Sequence, residues 1–142
     1  ILGLCLLDMA AVEAYSIAIE ACTTRETRET LGSFRVDHER HVRELGEWLL
    51  AELRRIESPL VVDVRGRGLF IGIEVDPAKA TARQVVDGLL ARGILSKDTH
   101  GTVIRIAPPL NVPREALQWA VGEIRTALAD VEDEHKRGRV AR

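Results

Sequence analysis

Apolar positions along the chain recur at helical spacing in four stretches and alternate or run together in four short ones. From Leu4 to Ala21 the polar positions Asp8, Glu13, Ser16 and Glu20 form a narrow stripe on an otherwise apolar surface. That pattern predicts a helix that needs burial on several sides, against this domain, a partner chain or a further domain. Thr23 to Thr30 is polar, with Thr-Arg-Glu repeated, and reads as a solvated connector, a hinge or frayed helix end. A strong helix is predicted from Asp37 to Ile56. Val42, Leu45, Leu49, Leu53 and Ile56 recur every three or four residues with Trp48 beside them, and Glu39, Arg40, Arg43, Glu47 and Arg54 lie opposite. Asp37 is the expected N-cap and Ser58-Pro59 the stop.

Leu60 to Val64 reads as a strand. The glycines of Arg65-Gly66-Arg67-Gly68 suggest a bend or bulge after it, with Gly68 and Gly72 permitting close backbone approach. Leu69 to Val75, partly apolar on both faces, reads as a central strand. After the Asp76-Pro77 loop, Thr81 caps a helix that runs to Arg92, turns Val85, Val86, Leu89 and Leu90 inward and ends at Gly93. Ile94–Ser96 and Val103–Ala107 follow as strands, the second closed by Pro108-Pro109. Pro113 opens the last helix, whose stripe is Leu117, Ala120, Val121, Ile124, Leu128 and Val131. Glu132 to Arg142 is charged and is expected to fray. The order helix, strand, strand, helix, strand, strand, helix predicts a small α+β domain, one sheet with helices on one face. The division expected is 1–32 as an apolar helical segment and connector, 33–134 as the α+β domain, and 135–142 as a charged tail.

The chain has 142 residues, 46% of them hydrophobic and 30% charged, enough for one domain with a core. Aromatics are only 4%, so that core is expected to be aliphatic. A net charge of −2 offers no field for nucleic acid or an anionic membrane. The repeated Arg-Gly at 65–68 is too short for an RNA-binding element. Cys5 and Cys22 both fall in apolar pattern and read as buried thiols of a reducing, cytoplasmic compartment. His38 and His41 stand one turn apart without a carboxylate in a fitting third position, and read as solvated first-turn residues rather than metal ligands. The chain opens on Ile1 with neither a signal-peptide nor a membrane-span pattern, and a missing N-terminal portion is expected.

The stretch richest in possible chemistry is Gly93 to Leu110. Side chains alternate along a strand, so Val103, Arg105 and Ala107 share one face and Ile104 and Ile106 the other. Arg105 is a charge between apolar neighbours. Either its face is solvated, or it has an anion to bind.

Lys97-Asp98-Thr99-His100-Gly101 followed by Ile104-Arg105-Ile106-Ala107-Pro108-Pro109-Leu110 resembles the C-terminal signature of ornithine aminotransferases, within the class-III, fold-type-I pyridoxal-phosphate transaminases. Val64-Arg65-Gly66-Arg67-Gly68-Leu69-Phe70-Ile71-Gly72-Ile73-Glu74-Val75 resembles the strand pair that opens their small domain. The likeness runs from about Leu45 to Leu128. Ile1 to Thr30 does not align, and the family's Gly-Asn-Pro turn is not found there. The resemblance implies a small, antiparallel-dominated sheet and transfer of the δ-amino group of ornithine, or of a related ω-amino acid, to 2-oxoglutarate. Arg105 is then the substrate-binding arginine that holds an α-carboxylate, with Lys97, Thr99 and His100 as possible lining of the same mouth. It also implies pyridoxal phosphate as cofactor and a homo-oligomer. The lysine that holds the cofactor belongs to the family's large domain, and none of Lys79, Lys97 and Lys136 stands in its context. The chain therefore reads as a small domain that works only with a large domain, its own or a second chain's. The alternative is a non-catalytic remnant or interaction module that keeps the fold and binds a partner.

Overall fold

The computed structural model describes residues 14–140, without the side chains of 139 and 140. The chain forms two compact units, the first ending at Glu44 and the second starting at Leu45.

In the first unit, residues 14–21 are helical (α1) and residues 22–24 break the helix. The start of the expected helix, Leu4 to Glu13, lies outside the described residues, as does Cys5. Cys22 is a free, half-buried thiol in the break rather than a buried helical one. The second helix, α2 (Arg25–Arg54), starts twelve residues before the expected Asp37. From Arg25 on, the polar connector is thus helix. Arg and Glu are good helix formers, Arg25 pairs with Glu29 at 2.8 Å, and the Thr24 hydroxyl accepts from the Thr27 N–H at 3.4 Å. Asp37 is no cap. It sits in mid-helix and pairs with Arg40 at 2.7 Å. His38 and His41 are likewise mid-helix, His38 half-buried with its ring 6.2 Å from Tyr15. No group of ligating side chains able to hold a metal occurs among the described residues.

The second unit is a four-stranded antiparallel sheet with helices. Strands β1 (Val61–Arg67), β2 (Phe70–Val75), β3 (Lys97–Thr99) and β4 (Val103–Ile106) lie in the order β1-β2-β4-β3. Helix α3 (Ala82–Ala91) joins the two hairpins and α4 (Arg114–Val140) closes the chain. The expected α+β class holds, with β2 central. The first strand does not bend at Gly66. It runs on to Arg67, and the chain reverses at Gly68-Leu69, with Gly68 at φ +54 in the first loop position, where a tight hairpin needs a positive φ. The bulge falls earlier, between Val61 and Asp63.

Ile71, Ile73 and Val75 on β2, with Ile104 and Ile106 on β4, are buried, while Phe70, Gly72, Glu74, Val103 and Arg105 between them are half-buried. The core therefore lies on one sheet face. There it meets Leu49, Leu53 and Ile56 of the α2 end, Val85, Val86 and Leu89 of α3, and Leu117, Val121, Ile124 and Leu128 of α4, all buried. Burying each such side chain contributes about 1.5–3 kcal/mol. Leu90, expected inward, is 55% exposed. Arg92 ties α3 to α4 through Glu123 at 3.5 Å and through Asp130, and Arg54 Nε donates to the Val64 carbonyl at 3.0 Å. Thr81 caps α3 in a full capping box with Gln84.

Two other boundaries differ from the sequence reading. Ile94–Ser96 is not strand; the third strand is Lys97–Thr99. Continuing the β3–β4 register would set Ile94 opposite Pro108, which has no N–H to give the ladder. Helix α4 does not fray at Glu132 but continues to Val140, supported by Lys136–Glu132 at 2.6 Å one turn apart.

Asp76 organises the turn into α3. Its carboxylate accepts from the Ala78 N–H at 3.0 Å and pairs with Lys79 at 3.1 Å, which hold its pKa below the usual 3.8. A depressed carboxylate stabilises the fold above its unfolded-state pKa, and that contribution is lost as pH falls through the folded value. Asp76→Asn should therefore be less stable than wild type near neutrality, and the gap should close on acidification below about pH 3.8. Urea midpoints measured across that range check this; a gap that is constant with pH contradicts it.

Candidate functional site

The sheet face away from the core is where unburied chemistry collects. The strand registers set its side chains in rows. One row runs Asp63, Glu74, Val103, Thr99, and the next runs Arg65, Gly72, Arg105, Lys97. Three cations thus stand in one row across the sheet, Arg65 separated by a glycine from the adjacent pair Arg105 and Lys97.

The three are handled differently. Arg65 is neutralised by Asp63 at 2.6 Å and by Glu74, and these hydrogen bonds raise its guanidinium above its ordinary pKa, Asp63 contributing most. Lys97 is exposed on the edge strand. Arg105 is half-buried and forms no ion pair with any described carboxylate. Its Nη2 donates to the Thr99 hydroxyl at 2.9 Å, and its guanidinium carbon lies 5.7 Å from the centre of the Phe70 ring. Gly72, directly opposite Arg105 on β2, leaves the face bare between Arg65 and Arg105. Even a methyl group there would come within 3.2 Å of Val103 Cγ1.

The hairpin that carries Thr99 is pinned at its tip. His100 and Gly101 both have left-handed backbone, φ 56 and 76. The Gly101 carbonyl accepts from the Ala82 N–H at 2.9 Å and the Thr102 carbonyl from the Val75 N–H at 2.8 Å. Of the residues singled out in the sequence, Lys97 and Thr99 share the Arg105 face, while Asp98 faces the helix side, 3.7 Å from Arg83. His100 is exposed at the turn, where a non-glycine residue in left-handed backbone is uncommon. Phe70 and Gly72 went unnoticed as site residues. Only the β2–β4 register brings them to Arg105.

An always-charged planar fork, on a rigid strand and without a carboxylate partner among the described residues, is suited to a carboxylate ligand. The same residues do not fit a covalently held pyridoxal phosphate. Lys79 is engaged by Asp76 and the Pro59 carbonyl at 2.9 Å, and Lys136 by Glu132. Lys97 is exposed to water on the outer strand.

The family model of class-III aminotransferases matches residues 23–128, so the chain belongs to that family. The match takes in all of α2 as well as the sheet. Within the family the chain is 49% identical over 85 residues to the ornithine aminotransferase of Bacillus subtilis, covering 60% of this chain and 20% of that protein. It is 48% identical over 86 residues to the one from Staphylococcus epidermidis, covering 61% and 21%. The chain thus spans about a fifth of the length of these relatives. Among solved structures, the ornithine aminotransferase of Toxoplasma gondii, which holds pyridoxal phosphate at partial occupancy in its active site, superposes with a TM-score of 0.65. It is 33% identical, and the match covers 75% of this chain and 26% of that one. An acetylornithine aminotransferase from Elizabethkingia anophelis gives 0.60 at 27% identity, covering 71% and 28%.

Proposed function

We propose that this chain is the C-terminal, small-domain part of a pyridoxal-phosphate-dependent aminotransferase of the ornithine type. It works with a large domain that carries the cofactor, and Arg105 holds the α-carboxylate of 2-oxoglutarate or of the amino-acid substrate. The observation that carries this reading is the contrast within one row: Arg65 is neutralised by two carboxylates, while Arg105, two strands away, has none among the described residues. The identity to ornithine aminotransferases supports ornithine, or a related ω-amino acid, as the amino donor. Bound in the large domain, pyridoxal phosphate supplies the electron sink for amino-group exchange. The part of this chain is to bind one carboxylate end and so orient the reacting carbon.

The test has two arms. Mixed with pyridoxal phosphate and reduced with borohydride, the 142-residue chain should carry no stoichiometric label on a lysine. Exchanged for the matching segment of the Bacillus subtilis ornithine aminotransferase, it should support transamination from ornithine to 2-oxoglutarate. A single full label on Lys97 in the chain alone contradicts the reading. So does a folded, cofactor-loaded chimera that transfers no amino group.

A further inference from the structure

Arg105 has five cross-strand neighbours on the open face, and they divide by what they can do for a guanidinium. The two directly opposite, Gly72 on β2 and Lys97 on β3, do nothing to hold it: one has no side chain and the other is an exposed cation. Of the three diagonal ones, Glu74 is paired with Arg65, and the other two hold Arg105. Thr99, opposite Val103, accepts from Nη2 at 2.9 Å, and Phe70, beyond Ile71 opposite Ile106, offers its ring at 5.7 Å. Diagonal pairs lie within reach of long side chains, and here they bracket the arginine from opposite ends.

We infer that Thr99 is a positioning residue for substrate binding: its hydroxyl, with the Phe70 ring as backstop, aims the Arg105 fork so that both prongs meet one carboxylate. This rests on the proposed role of Arg105. An arginine stem has several rotatable bonds, and an unaimed fork loses that freedom only when ligand binds, which weakens binding. Thr99 consumes one of the five guanidinium N–H donors and leaves four, enough for a two-pronged edge. Threonine is stiff at χ1, and its hairpin is pinned by the Gly101 and Thr102 carbonyls, so the oxygen stays in place. The nearby Lys97 cation adds attraction for an anion but no direction.

The experiment compares Thr99→Val, which keeps the shape and loses the acceptor, with Thr99→Ser, which keeps the oxygen. Both are placed in the enzyme completed by the large domain, and the half-reaction is followed with 2-oxoglutarate and with succinic semialdehyde, which lacks only the α-carboxylate. Thr99→Val should raise KM for 2-oxoglutarate about tenfold, the effect of one hydrogen bond to a charged group. It should leave succinic semialdehyde within about twofold, and Thr99→Ser should restore most of the loss. In the 142-residue chain, nitrogen-edited NMR should show resolved Arg105 Nη protons that average in Thr99→Val and persist in Thr99→Ser. Equal loss for both carbonyl substrates, or no rescue by serine, makes Thr99 merely structural and overturns the inference. Arg105→Lys is the control in the same assay. If it discriminates the two substrates and Thr99→Val does not, the inference falls and the clamp stands. If Arg105→Lys does not discriminate, both fall.

Discussion

Gly46→Ala should destabilise the second unit by roughly 3 kcal/mol, at or beyond the upper end of over-packing costs. A β-carbon built on Gly46 would lie 2.3 Å from the Gly68 carbonyl oxygen and 2.4 Å from its carbon. The obstacle is backbone, at the tip of the β1–β2 hairpin, so no side chain can swing aside. Against this stands the gain in helix propensity, since Ala is favoured over Gly by about 0.8–1 kcal/mol in a helix interior. The clash outweighs that gain and sets the sign. Gly122→Ala in α4 is the matched control: nothing lies within 4 Å of its added carbon. There the propensity gain acts alone, and a stabilisation of about 0.5–1 kcal/mol is expected. Urea unfolding of both variants followed by circular dichroism gives the two values. A Gly46→Ala protein as stable as wild type would mean that α2 and the hairpin tip are not in this contact.

Arg105→Ala in the completed enzyme should lower kcat/KM for 2-oxoglutarate by roughly 30- to 5000-fold, a loss of about 2–5 kcal/mol of transition-state binding. Removing the guanidinium leaves the carboxylate of the ligand without its partner in a half-buried site. The fold should survive. Arg105 lies on the face opposite the core, its strand neighbours Ile104 and Ile106 supply the burial, and among the described residues its guanidinium is held by a hydroxyl and a ring. Stopped-flow half-reactions, with thermal unfolding of the same sample, separate the two effects. A large loss of unfolding temperature would assign Arg105 to the scaffold.

The sequence made part of this site legible. Alternation alone placed Arg105 opposite Ile104 and Ile106, and the burial of those isoleucines bears that out. Thr81 and Gly93 marked the ends of α3, because caps are chemistry local to the chain. What escaped depended on partners distant in sequence. Gly46 reads as an ordinary weak spot in a helix until Gly68 is laid against it. Phe70 and Gly72 join Arg105 only through strand register, which no local pattern supplies. Asp37 looked like a cap because aspartate often caps, yet the Arg and Glu residues upstream carry the helix past it to Arg25. The charged run after Glu132 misled in the same way, since i to i+4 pairing makes it helical.

Arg105→Lys distinguishes a carboxylate fork from a solvated surface charge. Lysine keeps the charge and loses the two parallel donors. The measurement is the ratio of half-reaction kcat/KM for 2-oxoglutarate to that for succinic semialdehyde in the completed enzyme. This ratio should fall at least about tenfold while succinic semialdehyde itself reacts at close to the wild-type rate. An unchanged ratio, whether both substrates are lost together or neither is, would contradict the carboxylate fork.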